Sequence, residues 1–248
     1  MKYIIEPTKE LGWVGVDDSA NQSGLVKRIL TADTILSDLD GTDTSAAKQV
    51  FFDFIKDPKY FLNPKFLAWL ACAGCNYLIY NQSAESKIAS EFISKFLRHD
   101  QNLSRITAKY NQEFAKSTLY CGIEEFYGLL FKDSLKIYVS RNIKDVLHAY
   151  LLATKSNDAM AEQFDKKKSV EKIIKKYPNQ KKFVVRGDTA EDQEMADYLK
   201  YLKLKETIDD VVFINIAKNP RHYNSCADVN TSRNHKALNY WLKKTPVL

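Results

Sequence analysis

The sequence contains little cysteine, glycine and proline: of its 248 residues, only 4, 8 and 6 are of these types. Four cysteines are too few to cross-link a chain of this length, so we predict reduced thiols and no disulfide framework. There is no low-complexity tract and no repeat with a period of about 20 to 50 residues, which excludes fibrous and solenoid proteins. Hydrophobic residues make up 45% of the chain and charged residues 27%, a composition typical of a globular protein with a substantial core.

Long hydrophobic runs are lacking as well. The most apolar stretch, residues 66–80, is interrupted by Asn76 and is shorter than the roughly 20 residues of a membrane-spanning helix, so we expect a buried helix and no membrane anchor. Charged residues at Lys2 and Glu6 interrupt the start of the sequence before any apolar segment of secretory length, so no signal peptide is predicted. We therefore expect a cytoplasmic protein. The net charge of +6 is a mild basic excess that suits anionic partners without requiring nucleic acid.

Short apolar runs rich in β-branched residues predict the strands of a mostly parallel sheet. These runs are residues 34–36, 135–139, 183–185 and 211–214. Apolar residues recur at helical spacing in 143–151, after the second run, and in 170–177, before the third. Strands that alternate with helices predict an α/β fold with crossover helices. The first 30 residues are less clear, apart from a predicted loop at 17–24.

The connection between the first two predicted strands is about 90 residues long, far more than a crossover needs. It is aromatic-rich and largely helical in pattern, with amphipathic spacing at 91–98 and again in 123–130. We therefore predict an inserted helical subdomain at 46–130, with the α/β core formed by 1–45 and 131–248.

Polar residues follow three of the predicted strands at the point where each ends. Asp38 and Asp40 follow the first strand, Ser140 the second, and Asp188 and Asp192 the third. Ligands of open α/β sheets bind outside the carboxyl ends of the strands, so these side chains are expected to converge. Several carboxylates in one crevice are costly unless a divalent cation lies among them, and Mg²⁺ prefers such oxygen ligands. We predict that the four aspartates hold Mg²⁺.

The first two aspartates suit phosphoryl transfer. A carboxylate such as Asp38 can act as a nucleophile and form an aspartyl-phosphate, which divides one difficult transfer into two easier ones. A second carboxylate two residues later, Asp40, can protonate the leaving oxygen and then activate water.

Together the residues resemble the motifs of the haloacid dehalogenase superfamily. Residues 38–44 match its first motif, Asp-x-Asp-Gly-Thr-x-Thr, after an apolar strand. Ser140 resembles the second motif, and Gly187-Asp188-x-x-x-Asp192 resembles the fourth. The third motif is a single lysine at the start of the helix that precedes the fourth-motif strand. Three adjacent lysines are candidates for that position. They are Lys166, Lys167 and Lys168. The apolar positions Val170 and Ile173 of the following helix select Lys166.

The resemblance spans about residues 35–242 and implies a Rossmann-like three-layer core. It also implies that the insert is a helical cap, like that of phosphoserine phosphatase-like and phosphoglycolate phosphatase-like members. The implied roles are as follows: Asp38 nucleophile, Asp40 general acid and base, Ser140 and Lys166 phosphate-oxygen binders, Asp188 magnesium ligand, and Asp192 support for the metal. Arg141 is a candidate to bind a second anionic group. The expected function is Mg²⁺-dependent hydrolysis of a small phosphomonoester through an aspartyl-phosphate.

Two alternatives remain open at this stage. The same intermediate permits transfer of the phosphoryl group to an acceptor other than water. Residues 166–182 carry eight lysines against one acid, so a non-catalytic module that binds acidic partners through this lysine-rich helix is the other alternative. Interleaved aromatic residues and a recognised nucleic-acid-binding module are absent, which disfavours nucleic acid as that partner.

Overall fold

The computed structural model describes residues 2–17, 19–45, 62–69, 107–161 and 165–247, together with residues 58, 71 and 163. Its strands are β1 (Lys2–Thr8), β2 (Gly12–Val16), β3 (Thr34–Ser37), β4 (Leu135–Val139), β5 (Asp158–Met160), β6 (Lys182–Gly187), β7 (Asp210–Ala217) and β8 (Val229–Ser232). They form one sheet in the order β1-β2-β8-β7-β6-β3-β4-β5. The strands from β8 to β5 are parallel, and β2 and β1 continue the sheet in antiparallel pairing. The predicted mostly parallel α/β sheet is confirmed.

Helices cover both faces of this sheet. They are α1 (Gln22–Leu30), α2 (Gln112–Thr118), α3 (Ile123–Leu129), α4 (Lys144–Thr154), α5 (Lys166–Lys176), α6 (Ala190–Leu204) and α7 (Lys236–Lys244). A further helical segment lies at 64–69. None of the helices in the described part of the chain is long and apolar enough to cross a lipid bilayer.

The three layers follow from the alternation of side chains along β3. Ile35 points to one face of the sheet and packs with residues of α1, α3 and α7, whereas Leu36 points to the other face and packs with α5 and α6. Successive side chains of a strand point to opposite faces. Because each face is covered by helices, both kinds of position are apolar, and the strand appears in the sequence as a continuous apolar run.

The described parts of the predicted insert at 46–130 lie in two apolar clusters. Its last part, α3, packs against the sheet: Ile123 and Phe126 are fully buried in the same cluster as Val184 of β6. Phe66 and Trp69, by contrast, lie in a separate cluster with α4. Much of the insert, including the amphipathic segment 91–98, lies outside the described residues. We propose that the α/β core extends back to include α3.

The first 30 residues form structure that the sequence pattern did not reveal. β1 and β2 are an antiparallel hairpin at the edge of the sheet. The loop predicted at 17–24 is shorter than expected, because α1 begins at Gln22. The side chain of Asn21 accepts a hydrogen bond from the amide of Gly24 and so caps this helix.

Candidate active site

The candidate site lies where β3, β4 and β6 end side by side. Ser37, the last residue of β3, is in parallel register with Tyr138 of β4 and Arg186 of β6. Because the three strands run in the same direction, Asp38 and Asp188 follow them at the same edge of the sheet. The amide of Asp38 also donates a 3.0 Å hydrogen bond to the carbonyl oxygen of Arg186. The expected convergence of strand-end residues is therefore found here.

Three of the predicted carboxylates meet at this edge. One oxygen of each of Asp38, Asp188 and Asp192 lies within 4.8 Å of the other two, close enough to bind one metal ion. Asp38 and Asp192 are buried, with exposed fractions of 5% and 0%. Lys166 compensates part of this negative charge, since its Nζ lies 3.0 Å from Asp38 Oδ1 and also forms an ion pair with Asp192.

The structure separates Lys166 from the two competing lysines. Lys166 is the first residue of α5, and its side chain is only 4% exposed. Lys167 is exposed, and the Lys168 side chain is 72% exposed and pairs with Asp165 at the surface. Burial alone would lower the pKa of Lys166, but the neighbouring carboxylates outweigh it and raise the pKa. Lys166 therefore remains a cation inside the site.

Asp38 is in an unusual electrostatic environment. The pKa of its carboxyl group is raised to about 8. Burial is the largest cause and the carboxylates of Asp192, Asp188 and Asp40 act in the same direction, whereas Lys166 acts in the opposite direction. A cluster of buried carboxylates that resists ionisation has the electrostatic character of a cation site, because a divalent ion stabilises the ionised forms.

Asp192 uses its oxygens within the protein. Its Oδ2 accepts hydrogen bonds from the amide and hydroxyl of Thr189, at 3.1 and 2.7 Å, and from the amide of Asp188 at 3.1 Å. Its Oδ1 accepts from Lys166 Nζ. With Thr189 it forms a capping box at the start of α6. Asp192 thus fixes the turn that presents Asp188 and anchors Lys166.

Asp40, predicted as a fourth metal ligand, does not bring its side chain into this group of described carboxylates. It accepts a hydrogen bond from Asn142 Nδ2 instead. Asn142 follows β4, and its own amide donates to Ser140 Oγ at 3.2 Å. The loop after β4 therefore orients Asp40 through Asn142, and the same residue donates to the hydroxyl of the buried Ser140.

Arg141, the predicted binder of a second anionic group, lies at the rim. Its side chain is 24% exposed, and Nη1 lies 3.9 Å from Glu191 Oε1 in the first turn of α6.

Two glycines are required by the close approach of these segments. Gly41 has a φ of +85°, and a Cβ atom there would lie 1.8 Å from Asp188 Oδ2. A Cβ atom on Gly187 would lie 2.0 Å from Cγ of Asp192. Any larger side chain would push the carboxylates apart, so both glycines set how closely the loops of the site can pack.

Arg233 is a site residue that the sequence pattern did not reveal. It follows β8, and its Nη2 lies 2.9 Å from Asp188 Oδ2. Its guanidinium lies 5.7 Å from the ring centre of Tyr120. β8 is short and mostly polar, so no apolar run predicts a strand there. Without that strand, the sequence does not indicate that Arg233 stands at a strand end.

Neither a protein-family model nor a curated protein sequence matches the chain. Solved structures do resemble it in fold. Cytosolic 5'-nucleotidase IIIB bound to cytidine is 14% identical, with a TM-score of 0.58, and the match covers 94% of this chain and 93% of that one. DsGPDH of Dunaliella salina is 17% identical with a TM-score of 0.56, over 94% of this chain and 37% of that one. A phospho-aspartyl intermediate analogue of phosphoserine phosphatase is 17% identical, with a TM-score of 0.49 and coverages of 87% and 100%.

Proposed function

We propose that this chain, which has the fold of the haloacid dehalogenase-like hydrolases, is a Mg²⁺-dependent phosphomonoester hydrolase that works through an aspartyl-phosphate. The observation that carries the proposal is the position of Lys166, whose Nζ lies 3.0 Å from Asp38 Oδ1 at the edge where Asp188 also emerges. A buried cation beside a candidate carboxylate nucleophile suits chemistry on an anionic substrate.

Asp38 is the proposed nucleophile. Its carboxylate is buried, and its amide is held by the carbonyl oxygen of Arg186 at the end of the neighbouring strand. Attack of a carboxylate oxygen on phosphorus forms the aspartyl-phosphate and breaks the bond to the leaving oxygen. Lys166 and Ser140 lie on the neighbouring segments, and we assign them to binding the phosphoryl oxygens, where negative charge must be balanced.

Asp40 is the proposed general acid and base. The hydrogen bond from Asn142 fixes its carboxylate at the loop end of β4, next to the segment that carries Ser140. A proton on Asp40 would pass to the leaving oxygen, and the resulting carboxylate would then remove a proton from the water that hydrolyses the aspartyl-phosphate.

The residues fit a magnesium ion. Asp38 and Asp188 offer carboxylate oxygens within 4.8 Å of each other, which matches the oxygen donors that Mg²⁺ prefers. When bound, Mg²⁺ supplies positive charge that favours the ionised carboxylates and offsets the charge on the phosphoryl oxygens. Asp192 supports the site by holding Lys166 and the turn at Asp188.

The substrate class we propose is a small phosphorylated metabolite. Arg141 at the rim suits a second anionic group on that molecule, because a guanidinium binds carboxylate or phosphate in a bidentate manner.

The proposal is tested by phosphate release from a panel of phosphomonoesters, with Mg²⁺ and with a chelator. We expect release that requires Mg²⁺ and that falls at least about 1,000-fold in Asp38→Asn, since the amide is not a nucleophile at phosphorus. Asp133→Asn, which removes an exposed carboxylate elsewhere, is the matched control and should keep wild-type activity. Full activity of Asp38→Asn would exclude the aspartyl-phosphate, and a folded, Mg²⁺-binding wild type that hydrolyses no member of the panel would exclude hydrolysis of these esters.

A further inference from the structure

Beneath the candidate site lies an ion pair that the proposed chemistry does not use. Asp43 Oδ1 and Arg186 Nη2 are 2.9 Å apart, and both side chains are completely buried. Asp43 belongs to the loop after β3, whereas Arg186 belongs to β6. The charges therefore join two segments that are distant in the sequence.

The carboxylate of Asp43 also has two tyrosine partners. Oδ2 accepts a 2.8 Å hydrogen bond from the hydroxyl of Tyr127 in α3 and a 2.6 Å hydrogen bond from that of Tyr138 in β4. Burial raises the pKa of each tyrosine, and the charge of Asp43 adds to the effect, so both hydroxyls stay protonated as donors.

The guanidinium of Arg186 is enclosed in the same way. Its Nη1 donates to Ser37 Oγ at 3.2 Å and to the Tyr127 hydroxyl at 3.1 Å, and its Nη2 lies 2.7 Å from His235 Nε2. The group also lies 4.3 Å from the ring centre of Phe126. We refer to Asp43, Tyr127, Tyr138, Arg186 and His235 as the buried ion-pair cluster.

Stability alone does not account for such a cluster. Moving two charges out of water costs about as much as their attraction returns, and apolar residues of similar volume often serve a core as well or better. A buried ion pair with shared hydrogen bonds does, however, restrict its partners to one arrangement, because a displaced partner would leave further buried polar groups unmatched.

Four of the five members of the cluster lie close in sequence to a site residue on the same segment; Tyr127, in α3, is the exception. Tyr138 lies two positions before Ser140, Arg186 two before Asp188, and Asp43 lies in the loop that begins at Asp38. His235, on the segment after β8, lies two positions after Arg233. One carboxylate and one guanidinium thus connect the segments that carry Asp38, Ser140, Asp188 and Arg233.

We propose that Asp43 and Arg186 are positioning residues that fix the relative placement of the loop with Asp38, the end of β4 and the turn at Asp188. This inference rests on the proposed phosphoryl transfer for its kinetic consequences. Transfer reactions lose rate steeply when reacting groups are displaced by about 1 Å, so a looser cluster lowers kcat more than it changes KM.

A double substitution distinguishes a positioning role of the ion pair from a contribution to stability alone. Asp43→Asn alone leaves a buried guanidinium without its counter-charge, and Arg186→Met alone leaves a buried carboxylate, so we expect both to lower the unfolding midpoint. The double variant Asp43→Asn/Arg186→Met has neither charge, and the Asn carbonyl still accepts from the tyrosines, so we expect its midpoint to recover. We expect its kcat to remain at least about 10-fold below wild type with KM within about 3-fold.

Hydrogen exchange provides a readout that needs no activity. The loop contains backbone hydrogen bonds from the amides of Gly41, Asp43 and Thr44, at 2.7, 3.0 and 3.1 Å. We expect these amides to exchange faster in the double variant, whereas amides of α6 exchange as in wild type. A double variant with recovered midpoint, wild-type kcat and wild-type exchange of the loop overturns the proposal.

Two further outcomes are decisive. If the unfolding midpoint of the double variant does not recover, Tyr138→Phe tests the positioning role instead, because it removes one hydrogen bond to Asp43 and leaves both charges in place. Tyr177→Phe is its matched control, since Tyr177 donates a 2.8 Å hydrogen bond to the carboxylate of Asp158 outside the cluster. A kcat for Tyr138→Phe at least 3-fold below that of Tyr177→Phe supports the positioning role, and equal values overturn it.

If the wild type hydrolyses no phosphomonoester, the proposed function fails, and hydrogen exchange alone tests the positioning role. Faster exchange of the loop amides in Tyr138→Phe than in Tyr177→Phe supports it, and equal exchange overturns it.

Discussion

Arg233 Nη2 lies 2.9 Å from Asp188 Oδ2, so the carboxylate proposed as a metal ligand is paired with an arginine of the same chain. Lys166 is paired with Asp38 and Asp192 in the same site. The carboxylates that meet at the strand ends are thus partly neutralised by side chains before any external cation binds. A metal ion at Asp188 has to compete with the guanidinium for the carboxylate.

Replacement of Arg233 should therefore tighten Mg²⁺ binding. We expect Arg233→Gln to lower the Kd for Mg²⁺ by about 3- to 10-fold, which corresponds to about 1 kcal/mol for a partly exposed ion pair. Titration calorimetry measures this, with Arg221→Gln, an exposed arginine of the 3₁₀ turn Pro220–His222, as control. An unchanged or weaker Kd in Arg233→Gln would show that the guanidinium does not compete with the metal.

Substitution at Gly41 should damage the site, whereas substitution at Gly128 should not. Gly41→Ala combines a φ of +85° with a Cβ atom 1.8 Å from Asp188 Oδ2, so we expect a loss of about 1–3 kcal/mol of unfolding free energy together with weaker Mg²⁺ binding. Gly128 lies in α3, where an added Cβ would meet no atom within 4 Å apart from the backbone of its own helix and its chain neighbours, so Gly128→Ala should stabilise the protein by about 0.5–1 kcal/mol. Denaturant unfolding of both variants is the measurement, and a Gly41→Ala protein as stable as wild type would contradict the close packing of the loops.

The three adjacent lysines should differ sharply in their effect on turnover. Lys166→Met removes the buried cation beside Asp38, and we expect kcat to fall by at least about 100-fold, as for loss of a charged group that stabilises a transition state. Lys167→Met and Lys168→Met change exposed side chains of the same helix and should stay within about 2-fold of wild type. Phosphate release from the three variants is compared, and equal losses would contradict the assignment of Lys166.

His235 should make the protein sensitive to acid. Burial lowers its pKa well below the ordinary value of 6.5, and the charge of Arg186 lowers it further, so the folded protein keeps His235 neutral. The unfolded chain binds a proton below about pH 6.5, so stability is fully present above that pH and is lost as the pH falls, by up to about 1.4 kcal/mol per pH unit. His235→Gln should flatten this slope, and His148→Gln, at an exposed position, should not. The measurement is urea unfolding between pH 7 and 5. Equal slopes of unfolding free energy against pH for wild type and His235→Gln would refute the attribution of the acid sensitivity to His235.

Much of the sheet could be predicted because the signal for its central strands is local. The runs that became β3, β4, β6 and β7 are largely buried on both faces and are therefore mostly apolar. β8 could not be found in this way, since three of the residues in Val229–Ser232 are polar and are satisfied by tertiary hydrogen bonds such as that from Thr231 Oγ1 to the carbonyl of Trp13. The edge hairpin of β1 and β2 was not predicted either, because its apolar pattern is weak.

The sequence by itself determined which residues stand at the ends of the strands, because hydrophobic periodicity places the strands and chain order places Asp38, Ser140 and Asp188 after them. It also selected Lys166 among three adjacent lysines, from the apolar positions Val170 and Ile173 of the following helix. Only the tertiary structure decided that Lys166 is buried against Asp38, that Arg233 pairs with Asp188, and that Asp43 and Arg186 form the buried ion-pair cluster. The physical reason is that a strand follows from the local pattern of apolar residues, whereas an ion pair depends on distance, burial and the competing partners that only the folded chain brings together.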